Sequence, residues 1–333
     1  MKKVISQIVI SLTVTGVVLT SIFIIGNNYQ FKEEKIAVKI KNKTLSSVIV
    51  TPKKGEVKGV IFFVHGDGPQ NATQDGGYYP IMERFAKQGF ASVSWDKQGV
   101  GQSSGNWLDQ SMQDRANEVS DVIDWTKKNR PELSAKIGLW GASQAGWVIP
   151  KVDKMREDIQ FSILLAPGVN WLSQSTYFTE NQAKNNGKNE KEIQTEIDGF
   201  QKDSDLILEK ENYEIYLKAG GTSKMTEDRY QFVKRSMTLD ATNDLKKMNS
   251  NVHLILGEKD KNVNSKDTEK AYRKNVNPDN LTVKMIKNAE HRMVNPSIAN
   301  SEFLMTITAV FLPKYYLVSE EFLNYSEKLV RNE

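Results

Sequence analysis

Short apolar runs alternate with helical patterns through most of this sequence. Six of these runs are typical of strands, and they lie at residues 57–64, 90–95, 137–140, 161–166, 252–256 and 281–286. Helical spacing is found between or after them, at residues 78–88, 109–129, 144–156, 265–274 and from 297 onward. Strands that alternate with helices in this way favour an α/β fold, with a mostly parallel central sheet flanked by helices. Two earlier runs, 36–41 and 45–50, alternate apolar and polar residues, which predicts an antiparallel pair.

The alternation breaks between residues 168 and 247. This stretch is rich in Asn, Gln, Lys and Glu, and it has helical spacing at 190–209 and 227–237. We therefore predict a helical lid (168–247) inserted into one core. The two parts of that core are residues 31–167 and 248–333.

The first 30 residues predict a membrane segment. Lys2 and Lys3 precede Val4–Ile25, a run of 22 residues without a charge. A membrane span needs about 20 residues, whereas the apolar part of a signal peptide has about 7–15. No clear small-x-small cleavage site follows. We expect an uncleaved signal-anchor with the catalytic part outside the cytoplasm; a cleaved signal peptide and a secreted protein is the alternative.

Composition excludes several kinds of chemistry. The chain has no cysteine, which excludes disulfides, thiol catalysis and cysteine-ligated zinc. Its net charge is +4, and the sequence has no basic stripe interleaved with aromatic residues, so we expect no nucleic-acid partner. Residues 96–105 contain glycines but lack the G-K-[ST] ending of a phosphate-binding loop.

The candidate nucleophile is Ser143, in the stretch GASQAG at residues 141–146. A strand, then G-x-S-x-small, then a helix is the pattern of a nucleophile elbow, in which close chain passage demands small neighbours. The backbone N–H of Gln144 would then be one oxyanion donor. The alternative is that Ser143 is a simple helix N-cap.

A serine nucleophile needs a base, and the chain has only three histidines. His291 lies in a polar loop late in the chain, after the last predicted strand, whereas His253 lies inside a strand and His65 follows an early one. We therefore predict His291 as the base. Asp260, just past another strand, is the predicted acid, with Glu258 as the alternative.

The second oxyanion donor is expected in the glycine-rich loop at residues 65–69, where the backbone N–H of Asp67 is the candidate. The Asp67 carboxylate would have to point away from the oxyanion. Aromatic side chains are the candidates for an acyl pocket, Trp147 first among them. The others are Trp107 and, in the predicted lid, Trp171, Tyr177 and Phe178.

Five motifs together resemble the α/β-hydrolase superfamily, in its serine-aminopeptidase-like and BAAT/acyl-thioesterase-like branch. They are HGDGPQ (65–70), WDKQGVGQSSG (95–105), GLWGASQAGW (138–147), LGEKD (256–260) and EHR (290–292). The resemblance covers residues 55–315 and implies an α/β-hydrolase fold with hydrolysis of ester, thioester or amide bonds through an acyl-enzyme. Gln98 stands where the family usually has arginine, which puts a structural ion pair in doubt.

The sequence thus predicts a serine hydrolase with Ser143, His291 and Asp260 as its triad and no metal or organic cofactor. Its expected partners are a small ester, a thioester or a short peptide, and the membrane. A peptidase or acyltransferase with the same triad, or a catalytically silent binding domain on this fold, remains open.

Overall fold

The structure, a computed structural model, describes residues 2–221 and 225–333. Its strands are β1 (Phe31–Ile40), β2 (Lys43–Pro52), β3 (Gly59–Val64), β4 (Phe90–Trp95), β5 (Ile137–Ala142), β6 (Phe161–Leu165), β7 (Asn251–Gly257) and β8 (Leu281–Ile286). Its α-helices are α1 (Lys2–Asn27), α2 (Tyr79–Lys87), α3 (Met112–Asn129), α4 (Ile149–Met155), α5 (Trp171–Asn185), α6 (Glu190–Glu209), α7 (Tyr213–Lys218), α8 (Glu227–Ser236), α9 (Thr242–Leu245), α10 (Ser265–Asn275), α11 (Glu302–Phe311) and α12 (Glu320–Asn332). Residues 222–224, within the predicted lid, lie outside the described residues.

The strands form one sheet in the order β1-β2-β4-β3-β5-β6-β7-β8. β1 pairs antiparallel with β2, and β2 pairs antiparallel with β4. All other neighbours are parallel, so the predicted mostly parallel sheet is confirmed. Because β3 to β8 run in one direction, their carboxyl ends meet at one edge of the sheet, where the loops after β3, β5, β7 and β8 come together.

Helices cover both faces of the sheet. Every residue of β3 is buried, and its side chains alternate between two cores. Val60 and Phe62 belong to the core formed with α3, α4 and α10, whereas Ile61 and Phe63 belong to the core formed with α2 and α12. This two-sided burial explains why the central strands are continuous apolar runs.

Two predicted helices are wrong in their extent. The helix expected at 144–156 is a 3₁₀ turn (Ser143–Trp147) followed by α4. Pro150 lies in the first turn of α4, because proline lacks the N–H that a helix interior needs. The helical pattern expected from 297 onward is divided into α11, a π-helical turn (Pro313–Leu317) and α12.

Helix α1 is the only helix among residues 2–221 and 225–333 long and apolar enough to cross a membrane. The span covers Lys3–Asn27, with a mean hydropathy of 2.5 and no buried residue in its most apolar window. Its last turns contact α11. The rings of Phe23 and Phe311 lie 6.4 Å apart, and Asn27 Nδ2 donates to the Val310 carbonyl at 3.0 Å.

The close packing of β5 against β6 at Gly138 predicts how substitutions there change the free energy of unfolding. A Cβ added at Gly138 would lie 2.2 Å from the fully buried Phe161 ring, whereas one added at Gly199 in α6 meets nothing within 4 Å. We expect Gly138→Ala to lower the free energy of unfolding by about 1–3 kcal/mol through overpacking. Gly199→Ala should raise it by about 0.5–1 kcal/mol because alanine favours the helix. Urea unfolding of the full chain in detergent, followed by tryptophan fluorescence, measures both; equal effects would contradict the packing argument.

Candidate active site

Ser143 sits at a strained turn directly after β5. Its φ is +56°, in the left-handed region that a non-glycine residue rarely occupies. Such a conformation costs of order 1–3 kcal/mol and persists only where the surroundings impose it. The backbone here is that of the predicted elbow, not of an N-cap, because the residue that caps the turn is Ala142 in extended conformation.

The small residues around Ser143 are required by close packing. A Cβ at Gly141 would lie 2.6 Å from the Ala145 methyl group and 2.7 Å from the Val64 carbonyl oxygen. A Cβ at Gly146 would lie 2.4 Å from the Gly168 carbonyl oxygen. Ala145 is tolerated because its methyl group fills the space that Gly141 leaves.

His291 and Asp260 come together after β8 and β7. Asp260 Oδ2 accepts a hydrogen bond from His291 Nδ1 at 2.8 Å, and the Asp260 side chain has no exposed surface. The other oxygen, Oδ1, accepts backbone N–H groups of Asn262 and Val263 at 2.8 and 2.9 Å. These bonds fix the carboxylate, and the carboxylate fixes the imidazole with Nε2 as the nitrogen left for other partners.

Ser143 and His291 line the same cavity, which has a volume of about 510 Å³. In the described parts of the chain, no hydrogen bond joins the Ser143 hydroxyl to the imidazole; bonds between nucleophile and base often tighten only when substrate is bound. Much of the wall is apolar, and it is contributed by Tyr78, Ile81, Trp140, Leu165, Val294, Leu317, Val318 and Phe322.

The oxyanion candidates lie on either side of Ser143. Gln144 is at the start of the 3₁₀ turn, so its backbone N–H has no acceptor within that turn. Asp67 lines the cavity, and its carboxylate is held by Arg229 of α8 through two bonds of 2.9 and 2.6 Å. Gln144 Nε2 donates to the same carboxylate at 3.0 Å. Burial alone would raise the pKa of Asp67, but the hydrogen bonds and charge of Arg229 lower it.

Two buried cations hold the loop after β3. Lys97 Nζ donates to the Gly66 carbonyl at 2.6 Å, and Arg115 donates to the His65 carbonyl at 2.7 Å. Since C=O and N–H point in opposite directions across a trans peptide, the bond from Lys97 also sets the direction of the Asp67 N–H. Burial, followed by the charge of Arg115, lowers the pKa of Lys97 well below its usual value. No local sequence pattern indicates the contacts that Lys97, Arg115 and Arg229 make.

The remaining histidines have structural partners. His65 is buried between the Trp95 carbonyl, 2.6 Å from Nε2, and the Tyr78 hydroxyl, 3.2 Å from Nδ1. Burial and the nearby charge of Lys97 lower the pKa of His65 to about 3, so the ring is neutral at physiological pH. His253 contacts Thr282 and Glu333, away from the cavity lining.

Two further side chains named from the sequence have partners of their own. Glu258 accepts the backbone N–H of Asn288 at 2.8 Å, so His291 is paired with Asp260 and not with this alternative. Gln98, the departure from the family pattern, donates to the buried Glu118 carboxylate. The side chain of Gln98 therefore makes a hydrogen bond to Glu118 at the position where an arginine would make an ion pair.

The aromatic residues named from the sequence as an acyl pocket lie outside the lining of this cavity. Trp147 is buried and donates its indole N–H to the Val169 carbonyl at 2.8 Å, outside the cavity lining. Trp107 and Trp171 pack against Phe232 in the core, and the Tyr177 hydroxyl donates to the Asp260 carbonyl at 2.9 Å. Phe178 is exposed. The lining instead comes from the loop before α2, from α2 and from the segment before α12, which sequence spacing alone could not bring together.

Several solved structures share this fold. A membrane phospholipase A, described as a bacterial virulence factor, is 15% identical, with a TM-score of 0.57 and full coverage of both chains. An esterase of Pyrococcus furiosus is 19% identical (TM-score 0.54; 86% of this chain and 92% of that one). The protein Est1E of Butyrivibrio proteoclasticus, with ferulic acid bound, is 16% identical (TM-score 0.56; 89% and 96%). At these identities the likeness shows the fold.

Sequence comparison with known families gives a more specific result. No curated protein matches the chain. The profile of one family, described as serine aminopeptidase, S33, matches residues 55–297, well over half of the chain. The matched region includes the loops that hold Ser143, Asp260 and His291, and the resemblance to the serine-aminopeptidase-like branch is thereby confirmed. The chain belongs to the S33 serine aminopeptidase family of the α/β-hydrolase superfamily.

Proposed function

We propose that this protein is a membrane-anchored serine hydrolase that cleaves carboxylic ester or thioester bonds through an acyl-enzyme. One observation carries the proposal. Ser143, held in a left-handed conformation, and His291, bound to the buried Asp260, line one cavity. A nucleophile, a base and a group that orients the base are the parts that acyl transfer requires.

In the first half of the reaction, Ser143 Oγ forms a bond to the substrate carbonyl carbon while His291 Nε2 takes the hydroxyl proton. The tetrahedral intermediate then breaks its bond to the leaving oxygen or sulfur, which receives that proton from His291. In the second half, water adds to the acyl carbon, again giving its proton to His291. The bond to Ser143 breaks, the proton returns to Oγ, and the carboxylic acid leaves.

The charge that develops on the carbonyl oxygen needs donors. Under this proposal the backbone N–H groups of Gln144 and Asp67 supply them. Arg229 supports the arrangement because it neutralises the Asp67 carboxylate, whose charge would otherwise repel the oxyanion. Asp260 keeps its hydrogen bond to Nδ1 throughout and stabilises the imidazolium form of His291.

The cavity lining favours esters over peptides with a free amino terminus. The family description names a serine aminopeptidase, and a peptidase is therefore the second candidate. An aminopeptidase must bind a cationic amine. Asp67 is the one acidic residue among the described lining residues, and its carboxylate is already paired with Arg229. An apolar acyl group fits the rest of the wall better, and names such as esterase and phospholipase A among structures of this fold agree with that choice.

Removing the nucleophile tests the proposal directly. We expect the wild-type chain to react with a fluorophosphonate probe and to hydrolyse p-nitrophenyl butyrate. Ser143→Ala should lose both activities, because the probe bonds to the nucleophilic oxygen. Asp260→Asn should lower kcat by about 10⁴-fold, since the imidazole loses its partner.

The matched controls are exposed residues on the same domain, Ser173→Ala and Asp279→Asn, which should behave as wild type. Equal labelling of the wild type and Ser143→Ala would contradict the role of Ser143. An unlabelled, inactive wild type would favour the silent binding domain, and cleavage of aminoacyl p-nitroanilides in preference to esters would favour the peptidase.

The ion pair between Asp67 and Arg229 gives a second prediction for catalysis. Arg229→Gln leaves the carboxylate uncompensated beside the oxyanion, and we expect kcat for the butyrate ester to fall about 10- to 100-fold. Replacing the carboxylate as well, in the double variant Arg229→Gln/Asp67→Asn, should recover most of the loss, because the backbone donor remains. Arg273→Gln, which breaks an exposed ion pair with Glu269, is the control. A double variant no faster than the single one would refute this role.

Membrane anchoring by α1 is the other part of the proposal. The chain that leaves α1 is tied to the catalytic domain: Lys314 Nζ donates to the Asn28 carbonyl at 2.6 Å, and Glu83 accepts the Gln30 N–H at 2.6 Å. Burial alone would raise the pKa of Glu83, but hydrogen bonds from Lys314 and Gln30 lower it. These contacts hold the segment that follows α1 against the rest of the chain.

Arginines in the middle of α1 test the anchor. Each should cost about 2.5–3.5 kcal/mol at the bilayer centre, so Val14→Arg/Val17→Arg should release the protein during an alkaline carbonate wash that leaves the wild type in the membrane. Ile215→Arg/Leu217→Arg on the exposed face of α7 is the control and should stay bound. A wild-type chain recovered in solution with its first 25 or so residues removed would support the cleaved signal peptide instead.

A further inference from the structure

Helix α11 is apolar, yet none of its residues is buried. Its sequence is EFLMTITAVF, in which Glu302 is the only charged residue. Phe303 is 71% exposed and Ile307 is 41% exposed, and Leu304 and Val310 are exposed as well. A helix that is apolar on all sides belongs in a protein core or in a membrane. The protein supplies no core around α11, so its cover must come from outside the chain.

Contacts with α1 indicate what that cover is. A Cβ at Gly26 would overlap the Phe311 carbonyl oxygen, so the two backbones touch. The hydrogen bond from Asn27 to the Val310 carbonyl and the ring contact between Phe23 and Phe311 join the same two helices. Because α11 is fixed to the last turns of the membrane anchor, it lies where that anchor leaves the bilayer.

Length restricts how α11 can lie there. Its 10 residues span about 15 Å, too little to cross a hydrocarbon core of about 30 Å. Every residue of α11 nevertheless lies within about 15 Å of its contact with α1. This distance equals half the thickness of the hydrocarbon core, so α11 can lie within one leaflet. The exposed aromatic side chains of Tyr315 and Tyr316 follow at once, and tyrosine is enriched at the level of the lipid headgroups.

The same segment leads into the cavity. Val294 and Val318 pair in an antiparallel bridge, and the Asn295 N–H donates to the Leu317 carbonyl at 3.0 Å. The chain therefore leaves the cavity wall after Val294, forms α11 and the turn at 313–317, and returns to the wall at Leu317 and Val318. Residues 295–301 join Val294 to α11, and residues 312–316 join α11 to Leu317, so the exposed helix lies between two parts of the cavity wall in one chain segment.

We propose that α11 inserts into the outer leaflet of the bilayer that holds α1, and that the cavity takes its substrate, an acyl ester lipid, from this leaflet. The inference rests on the proposed function, both the ester hydrolysis and the anchor. Beyond the proposed function, it names the bilayer leaflet as the source of the substrate and α11 as the surface that contacts this leaflet. The apolar cavity wall that includes Val294, Leu317 and Val318 would receive the acyl chain, and Ser143 would attack its carbonyl carbon.

Insertion can be measured without reference to activity, because the chain has no cysteine. Ile307→Cys and Ile215→Cys place a single thiol at two side chains of equal exposure, 41%, on α11 and on α7. Both full-chain variants are labelled with the polarity-sensitive dye NBD and reconstituted into phosphatidylcholine vesicles. We expect blue-shifted emission for the probe at position 307, quenched by nitroxides on the acyl chains, and unchanged emission for the probe at 215.

Activity tests the source of the substrate. The wild type should hydrolyse 4-methylumbelliferyl oleate embedded in the vesicles and the water-soluble butyrate of the same fluorophore. Phe303→Ser/Ile307→Asn should lower oleate hydrolysis at least about 10-fold and leave butyrate hydrolysis within about twofold. The control Ile215→Asn should leave both unchanged.

Each result has a defined meaning. A probe at position 307 that reaches water, or one shielded from both lipid nitroxides and aqueous iodide as a second copy of the chain would shield it, overturns the insertion. Equal loss of oleate and butyrate hydrolysis in the double variant overturns the delivery from the leaflet. Failure of the proposed function gives a different result from failure of this inference. The wild type would then hydrolyse neither ester, while the probe at position 307 would still report where α11 lies.

Discussion

Close packing at the end of β5 holds Ser143 in place at the carboxyl edge of the sheet. Gly141, Ala145 and Gly146 let the chain turn against Val64 and Gly168, and that turn holds Ser143 in a left-handed conformation. A larger residue at either glycine would meet backbone atoms, which cannot move aside as a flexible side chain can. The serine is therefore presented at the carboxyl edge of the sheet by steric exclusion, and the loops after β3, β7 and β8 meet it there because their strands are parallel.

Around this turn, charged side chains hold the loop after β3 in position. Lys97 and Arg115 bind two successive carbonyls of the loop after β3, and Arg229 reaches from α8 to the carboxylate of Asp67. Buried cations are costly unless paired or hydrogen-bonded, and Lys97 and Arg115, which are buried, both have such partners. The helices between β6 and β7 contribute to the site through these polar contacts and through Tyr177 on the loop of Asp260, not through an aromatic pocket.

Helix α1 is joined to the cavity wall through one short region. Lys314, Glu83 and the chain at residues 28–30 form a hydrogen-bonded joint, and α11 packs against α1 beside it. Since Leu317, Val318 and Phe322 also line the cavity, the proposed anchor, the proposed interfacial helix and the proposed catalytic residues are mechanically connected. This arrangement gives a physical reason why a hydrolase with a small apolar cavity would carry an anchor.

The local sequence was enough to predict the parallel sheet, because strands buried on both faces are nearly continuous apolar runs such as residues 57–64. It also determined the candidates Ser143, Asp260 and His291, because small residues, turn loops and chain order are local signals. Three features depend on tertiary contacts: which aromatic residues line the cavity, the break in the helix after Ser143, and the support that Arg229, Lys97 and Arg115 give to the loop after β3. Such contacts join residues far apart in sequence, such as Asp67 and Arg229, and their energy comes from burial and geometry that no local pattern encodes. Trp147 is an example. The sequence places it four residues after Ser143, but packing in the core sets the direction of its ring.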